Sequence, residues 1–110
     1  IENVSMKILR NNLYIILEIS PSDVKSNLIT ELNILSRDKN NLIIDFSKTE
    51  LQIHKDFFKK IIKKQTLNKK SLVFVSDKYI NYDDLNIVPT LTEAIDFVEI
   101  EEIERDIERL

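Results

Sequence analysis

Five residues near the middle of the chain, Leu42-Ile43-Ile44-Asp45-Phe46, indicate the class of fold. The run is short and almost continuously apolar, which is typical of a strand covered on both faces, as in a parallel sheet. A second run of the same kind, LVFV, occupies residues 72–75. Two such strands, each preceded by a helical pattern, predict an α/β protein with helices packed against its sheet.

Three amphipathic helices are predicted around these strands. The first follows capping residues at 20–23, and four apolar residues share one of its faces: Val24, Leu28, Leu32 and Leu35. The second runs from about residue 54 to residue 67, with an apolar stripe formed by Phe57, Phe58, Ile61 and Ile62. The third begins after Pro89, where Thr90 and Glu93 have the spacing of a capping box.

The remaining strands complete one domain spanning residues 1–110. Residues 6–9 and 13–19 predict an N-terminal hairpin turning at Asn11-Asn12, because asparagine tolerates positive φ. Residues 87–88 predict a brief edge strand ended by Pro89. The expected architecture is a mixed sheet of four to five strands with three main helices. Residues 1–5 are expected to be a leader or a cloning remnant, and residues 99–110 a helical extension.

Composition argues against several classes of function. The 110 residues include no glycine and no cysteine, whereas phosphate-binding loops, dinucleotide-binding turns and nucleophile elbows need glycine. Thiol catalysis, zinc fingers and disulfide frameworks need cysteine. No apolar run approaches the ~20 residues that cross a bilayer. We therefore expect a non-enzymatic protein without cofactor, metal or membrane insertion, with the cytoplasm as its default location.

In the order of these elements the chain resembles the STAS family, the small α/β domains of anti-sigma-factor antagonists and of sulfate-transporter tails. The resemblance covers most of residues 6–98: the hairpin and the first helix, LIIDFS at 42–47, the second helix, SLVFVSD at 71–77, and PTLTEAI at 89–95. It implies a regulatory domain that binds other proteins. The ending, PTLTEAIDFVEIEEIERDI, is also similar to small STAS-like proteins that accompany the tRNA-processing nuclease ribonuclease Z in some bacteria.

The switch of that family is not carried over to this chain. STAS domains enter their second helix through an Asp-Ser-x-Gly motif whose serine a partner kinase phosphorylates. The equivalent stretch here is residues 51–56, LQIHKD, which has neither the serine nor the glycine. By rough alignment His54 falls near the phosphoacceptor. A vestigial switch region is therefore assigned to Ser47, Thr49 and His54.

A few isolated acidic and basic residues are candidate sites. His54 is the only histidine, and catalysis by His54 with Asp45 would require partners that no motif supplies. Asp45 is expected instead to accept hydrogen bonds from the backbone of the turn after its strand. Asp77, Asp83 and Asp84 lack the spacing of a known cation-binding loop, so solvated turn residues are expected there.

The second helix carries an excess of lysine. Residues 54–70 contain seven lysines against Asp56, and the candidate phosphate-binding set is Lys55, Lys59, Lys60, Lys63 and Lys64. This pattern supports an alternative hypothesis, an RNA-associated accessory factor of a tRNA-processing nuclease. Nucleic-acid binding is the less favoured hypothesis, because lysines opposite an apolar stripe are also typical of any solvated helix.

The C-terminal segment has two apolar stripes on opposite sides. On a helix at 100° per residue, Leu91, Ala94, Ile95 and Val98 cluster on one face, whereas the other four aliphatic residues lie about 100–180° away: Ile100, Ile103, Ile107 and Leu110. The second stripe repeats at intervals of three, four and three, the seam of a short coiled coil. We interpret it as a binding site for a protein partner or a second copy. The alternative is a break near Glu99, with the segment folding back.

Overall fold

The computed structural model describes residues 7–20, 25–49, 55–78 and 85–110. It contains five strands: β1 (Lys7–Arg10), β2 (Ile15–Glu18), β3 (Leu42–Asp45), β4 (Leu72–Val75) and β5 (Ile87–Val88). The three helices of the described ranges are α1 (Lys25–Arg37), α2 (Lys55–Leu67) and α3 (Leu91–Glu108). The predicted order of elements and the mixed sheet are confirmed.

The strands lie in chain order, β1-β2-β3-β4-β5, within one sheet. The β1–β2 pair is antiparallel, and each later neighbour is parallel. In the parallel part Ile15, Leu42 and Leu72 lie side by side. The predicted edge strand, β5, is indeed at one edge, and its pairing with β4 ends at Val88, directly before Pro89.

The sheet is buried between two helical layers. Helices α1 and α2 cover one face, where Leu32, Phe58 and Phe74 belong to the larger core cluster. The Phe58 and Phe74 rings meet edge to face, with centroids 4.7 Å apart, a favoured aromatic geometry. Within the described ranges, α3 is the helix that covers the opposite face, where Ala94 and Val98 pack against the inner strands. The continuous apolar character of β3 and β4 follows from this two-sided burial.

The N-terminal hairpin turns for a different reason than predicted. Neither Asn11 nor Asn12 has positive φ; the described residues that do are Lys39 and Lys69. Instead the Asn11 side-chain Oδ1 accepts hydrogen bonds from the backbone N–H groups of Leu13 and Tyr14, each at 2.8 Å. A short polar side chain can thus replace a left-handed backbone in forming a tight turn.

Several sequence predictions lie outside the described residues. They concern the leader, the cap of the first helix at 21–23, Val24, His54, and the acidic pair Asp83 and Asp84.

Candidate interaction surface

Helix α3 is longer than the sheet it covers. Each inner strand has four residues, or about 13 Å, whereas the 18-residue helix extends about 27 Å. The helix begins at Thr90, whose Oγ1 accepts a hydrogen bond from the Glu93 backbone N–H at 3.2 Å, as the capping pattern predicts. It follows β5 and runs back along the sheet, so its last turns reach beyond the amino ends of the strands.

The two stripes of α3 have opposite environments. Ala94 and Val98 are fully buried against the sheet, and Leu91 and Ile95 are partly buried beside them. The four residues of the second stripe, which we call the distal strip, are 56%, 58%, 61% and 103% exposed: Ile100, Ile103, Ile107 and Leu110. The first three lie in α3, and Leu110 lies just beyond its end. The helix is continuous through Glu99, so the alternative of a break there is wrong.

Arg105 attaches the helix to the end of the sheet. Its Nη2 donates hydrogen bonds to Asn41 Oδ1 at 3.2 Å and to Ser71 Oγ at 3.0 Å. Asn41 and Ser71 directly precede β3 and β4, and the Ser71 backbone N–H donates to Asn41 Oδ1 at 2.7 Å. Asn41 Nδ2 in turn donates to the Leu13 carbonyl at 2.8 Å. The network therefore joins α3 to the amino ends of three strands.

Two glutamates complete this network from within the helix. Arg105 Nη2 lies 2.8 Å from Glu102 Oε1, and Arg105 Nη1 lies 3.8 Å from Glu101 Oε1. The hydrogen bond from Arg105 lowers the pKa of the Glu102 carboxyl below its ordinary value, and partial burial opposes this effect. The positive charges of Arg105 and Lys70 and a hydrogen bond with Asn41 also favour the ionised form.

An open groove of about 290 Å³ borders the same end of the sheet, between α2 and α3. Its lining combines Ile62 and Phe74 with charged side chains of both signs, including Lys70, Arg105 and Glu108. The buried Gln65 also lines it and donates hydrogen bonds to the carbonyls of Asn40 and Ser71, at 2.7 and 2.8 Å. These bonds hold α2 against the strand ends beside the Arg105 network.

Asp45 has the structural role expected of it. The side chain is buried, and its Oδ1 accepts a hydrogen bond from the Ser47 backbone N–H at 2.8 Å. Ser47 is exposed and Thr49 is partly buried at the carboxyl end of β3, whereas His54 lies outside the described residues. The structure therefore places two residues of the vestigial switch region, Ser47 and Thr49, in one turn.

Lysines of α2 face away from the core. Lys59, Lys60, Lys63 and Lys64 are exposed, and the side chain of Lys55 is outside the described part. Lys64 Nζ lies 3.5 Å from Asn33 Oδ1 on α1. The four described lysines thus lie on the solvent-exposed side of α2, and Lys64 reaches the neighbouring helix α1.

The described ranges hold neither a metal-binding cluster nor a helix able to cross a membrane. No group of three or more His, Cys, Asp or Glu side chains there is arranged to hold a metal ion, and Asp77 lies exposed after β4. Within the same ranges, every helix is too short or too polar to cross a membrane.

Sequence reasoning missed the attachment of α3. On the helical projection Glu102 and Arg105 lie at about 20° and 320° from Leu91, which is the core face. Polar residues that continue a core stripe indicate where a helix leaves its sheet, so extending the projection would have identified both. The partners Asn41 and Ser71 carried no such signal, because their proximity depends on parallel strand register.

Comparison with known proteins gives no family assignment. No protein-family model matches the chain, and a search of curated proteins finds no match.

Proposed function

We propose that this protein is a non-catalytic, STAS-like interaction domain that binds a protein partner through helix α3. The observation that carries the proposal is the distal strip: Ile100, Ile103 and Ile107 are exposed along one face of a continuous helix, and the exposed Leu110 follows directly after its end. Exposed apolar residues scattered singly are normal, whereas a contiguous row of them is typical of an interaction site.

Energetics favour binding at this strip. Complete burial of one large aliphatic side chain is worth about 1.5–3 kcal/mol, so four can supply several kcal/mol after the costs of association. Arg105 already holds the helix to the strand ends, which reduces the entropy lost when a partner binds. The strip is therefore presented on an ordered element.

The STAS resemblance supports the same class of function. The order of elements is the one that the resemblance implies, and domains of this family act by binding other proteins. Because this chain lacks the phosphoacceptor motif, the proposal takes from the family protein binding without its serine switch.

The test replaces two residues of the distal strip, Ile103→Asp together with Ile107→Asp. Both side chains are more than half exposed, so the fold should tolerate the change. Leu67→Asp is the matched control, because Leu67 is 73% exposed on α2, outside the strip. Sedimentation velocity measures self-association, and quantitative capture on the immobilised chain measures association with other proteins.

We expect the strip variant to lose association that the wild type and the Leu67 control retain. Equal association of all three proteins in both assays, or no association of the wild type in either, would contradict the proposal.

A second candidate function, RNA association, has one observation in its favour. Exposed Lys59, Lys60, Lys63 and Lys64 lie within about 140° on one side of α2, a surface able to contact phosphates. Fluorescence anisotropy with tRNA across a salt series tests it. Binding that weakens steeply with salt and with Lys59→Glu/Lys63→Glu would support it, and no binding at low salt would remove it.

A further inference from the structure

The charges of the residues beside the distal strip indicate which kind of partner it binds. In coiled-coil notation Ile100 and Ile107 take a positions, and Ile103 and Leu110 take d positions. The flanking e and g positions, which face the flanks of a bound helix, are then Glu99, Glu104 and Asp106, all exposed. Each described flanking position is acidic.

The two arginines of this segment leave the flanks acidic. Arg105 is directed to the strand ends and its side chain is only 16% exposed. Arg109 pairs with Asp106 at 3.2 Å and offsets part of the charge at that flanking position, whereas Glu99 and Glu104 lie further from the end of the helix. Residues 99–110 contain six acidic residues against these two arginines, so the surface around the strip is negative.

A second α3 is a poor occupant of such a strip. In a parallel pair the e position of one helix meets the g position of the other, so Glu104 would face Glu99 of the second copy. In an antiparallel pair e meets e and g meets g, again acid against acid. Like charges facing each other across an interface are destabilising and suppress wrong partners.

Helix α2 of a second copy has the complementary charge, but its described side chains offer little exposed apolar surface. Its stripe residues Phe58 and Ile61 are fully buried in its own core. Leu67 is the large aliphatic residue of α2 that is strongly exposed within the described ranges. One such side chain cannot cover a strip of four.

We propose that the distal strip binds an amphipathic helix of another protein, with aliphatic residues in its seam and Lys or Arg on both flanks. This inference rests on the proposed function and specifies its partner. Aliphatic seams supply the affinity, and the opposite charges select the partner and orient it.

Three synthetic helical peptides test the charge preference against the full 110-residue chain. The first has Ile and Leu in its seam with Lys at e and g; the second replaces those Lys residues by Glu; the third keeps Lys flanks but has Ser in the seam. The like charges on the flanks of each peptide disfavour self-association. Fluorescence anisotropy at low salt measures binding to the wild type, to Ile103→Asp/Ile107→Asp and to a charge-reversed variant, Glu99→Lys/Glu104→Lys/Asp106→Lys.

We expect the Lys-flanked apolar peptide to bind about tenfold more tightly than the Glu-flanked one, with the order reversed in the charge-reversed variant. The Ser-seam peptide should not bind, and the strip variant should bind none of the three. Equal binding of the first two peptides would overturn the charge preference while leaving the proposed function in place. Binding of the Lys-flanked peptide that survives the strip substitutions would overturn the inference too, since charge alone would explain it.

If no peptide binds the wild type, the inference is wrong. The sedimentation and capture assays described above then decide separately whether the proposed function also fails.

Discussion

Two lysines end helices α1 and α2 in a backbone conformation that glycine usually supplies. Lys39 has φ 61° and Lys69 has φ 57°, both in the left-handed region. Around Lys69 the hydrogen bonds of a Schellman motif are formed, from Lys69 N–H to the Thr66 carbonyl and from Lys70 N–H to the Gln65 carbonyl. In this chain without glycine, α1 and α2 are therefore followed by lysines in the left-handed region, at a conformational cost.

Replacing Lys69 by glycine should stabilise the protein. A residue with a Cβ in the left-handed region costs roughly 1–2 kcal/mol, and the greater freedom of glycine in the unfolded chain cancels part of the gain. We expect Lys69→Gly to raise the free energy of unfolding in urea by about 0.5–1 kcal/mol. Lys63→Gly, at an exposed position within α2, is the control and should lower it by about 1 kcal/mol. Destabilisation by both substitutions would contradict the left-handed backbone conformation of Lys69.

Removing Arg105 should destabilise the fold. Arg105→Ala removes the hydrogen bonds that Arg105 donates to Asn41, Ser71 and Glu102. We expect it to lower the free energy of unfolding by roughly 1–3 kcal/mol. Arg109→Ala removes an exposed ion pair with Asp106 and should cost less than about 0.5 kcal/mol. Urea denaturation distinguishes the two, and equal effects would show that Arg105 does not attach the helix.

The lowered pKa of Glu102 predicts that the free energy of unfolding depends on pH in the acid range. Because Arg105 lowers its pKa in the folded state, Glu102 contributes stability above its unfolded pKa, near the ordinary value of 4.5. That contribution is lost as the pH falls through the lower folded pKa. In Glu102→Gln this part of the acid destabilisation should be absent, and in Arg105→Ala it should be reduced. Urea unfolding between about pH 6 and pH 2 measures the difference; identical pH profiles would contradict the interaction.

At the level of elements, the sequence indicated most of the architecture. Apolar periodicity identified all three helices. The two continuous apolar runs identified β3 and β4, because a strand buried on both faces needs apolar side chains at successive positions. The hairpin was predicted correctly with the wrong turn mechanism, since side-chain hydrogen bonds such as those of Asn11 leave no periodic trace. The Arg105 network was missed because its partners come from distant strands brought together by register.

The start of α3 gives a prediction at this scale. Thr90 satisfies a backbone N–H that the first turn of the helix leaves without an intrahelical partner. Thr90→Ala should lower the free energy of unfolding by about 1 kcal/mol. Thr92→Ala, one exposed position inside the helix, removes the same atoms without a cap and should change it by less than about 0.5 kcal/mol. Thermal or urea unfolding compares the two, and an equal loss would indicate that the cap contributes nothing.

For the whole molecule, the important feature is that helix α3 is longer than the sheet on which it packs. The sheet supports α3 through Val98, the Arg105 network attaches it at the strand ends, and the distal strip points away from the core. The two stripes could be predicted from helical spacing alone. Their different environments depend on where the sheet ends, which requires the three-dimensional structure.

Thiol reactivity tests this relation most directly, because the chain has no cysteine of its own. Single substitutions Ile103→Cys, Ile107→Cys, Leu67→Cys and Val98→Cys are compared in dilute native protein with a colorimetric thiol reagent. We predict that the thiols at 103 and 107 react about as fast as the exposed control at 67, whereas the thiol at 98 reacts only when the fold opens. Protection at 103 and 107 equal to that at 98, independent of protein concentration, would contradict the account.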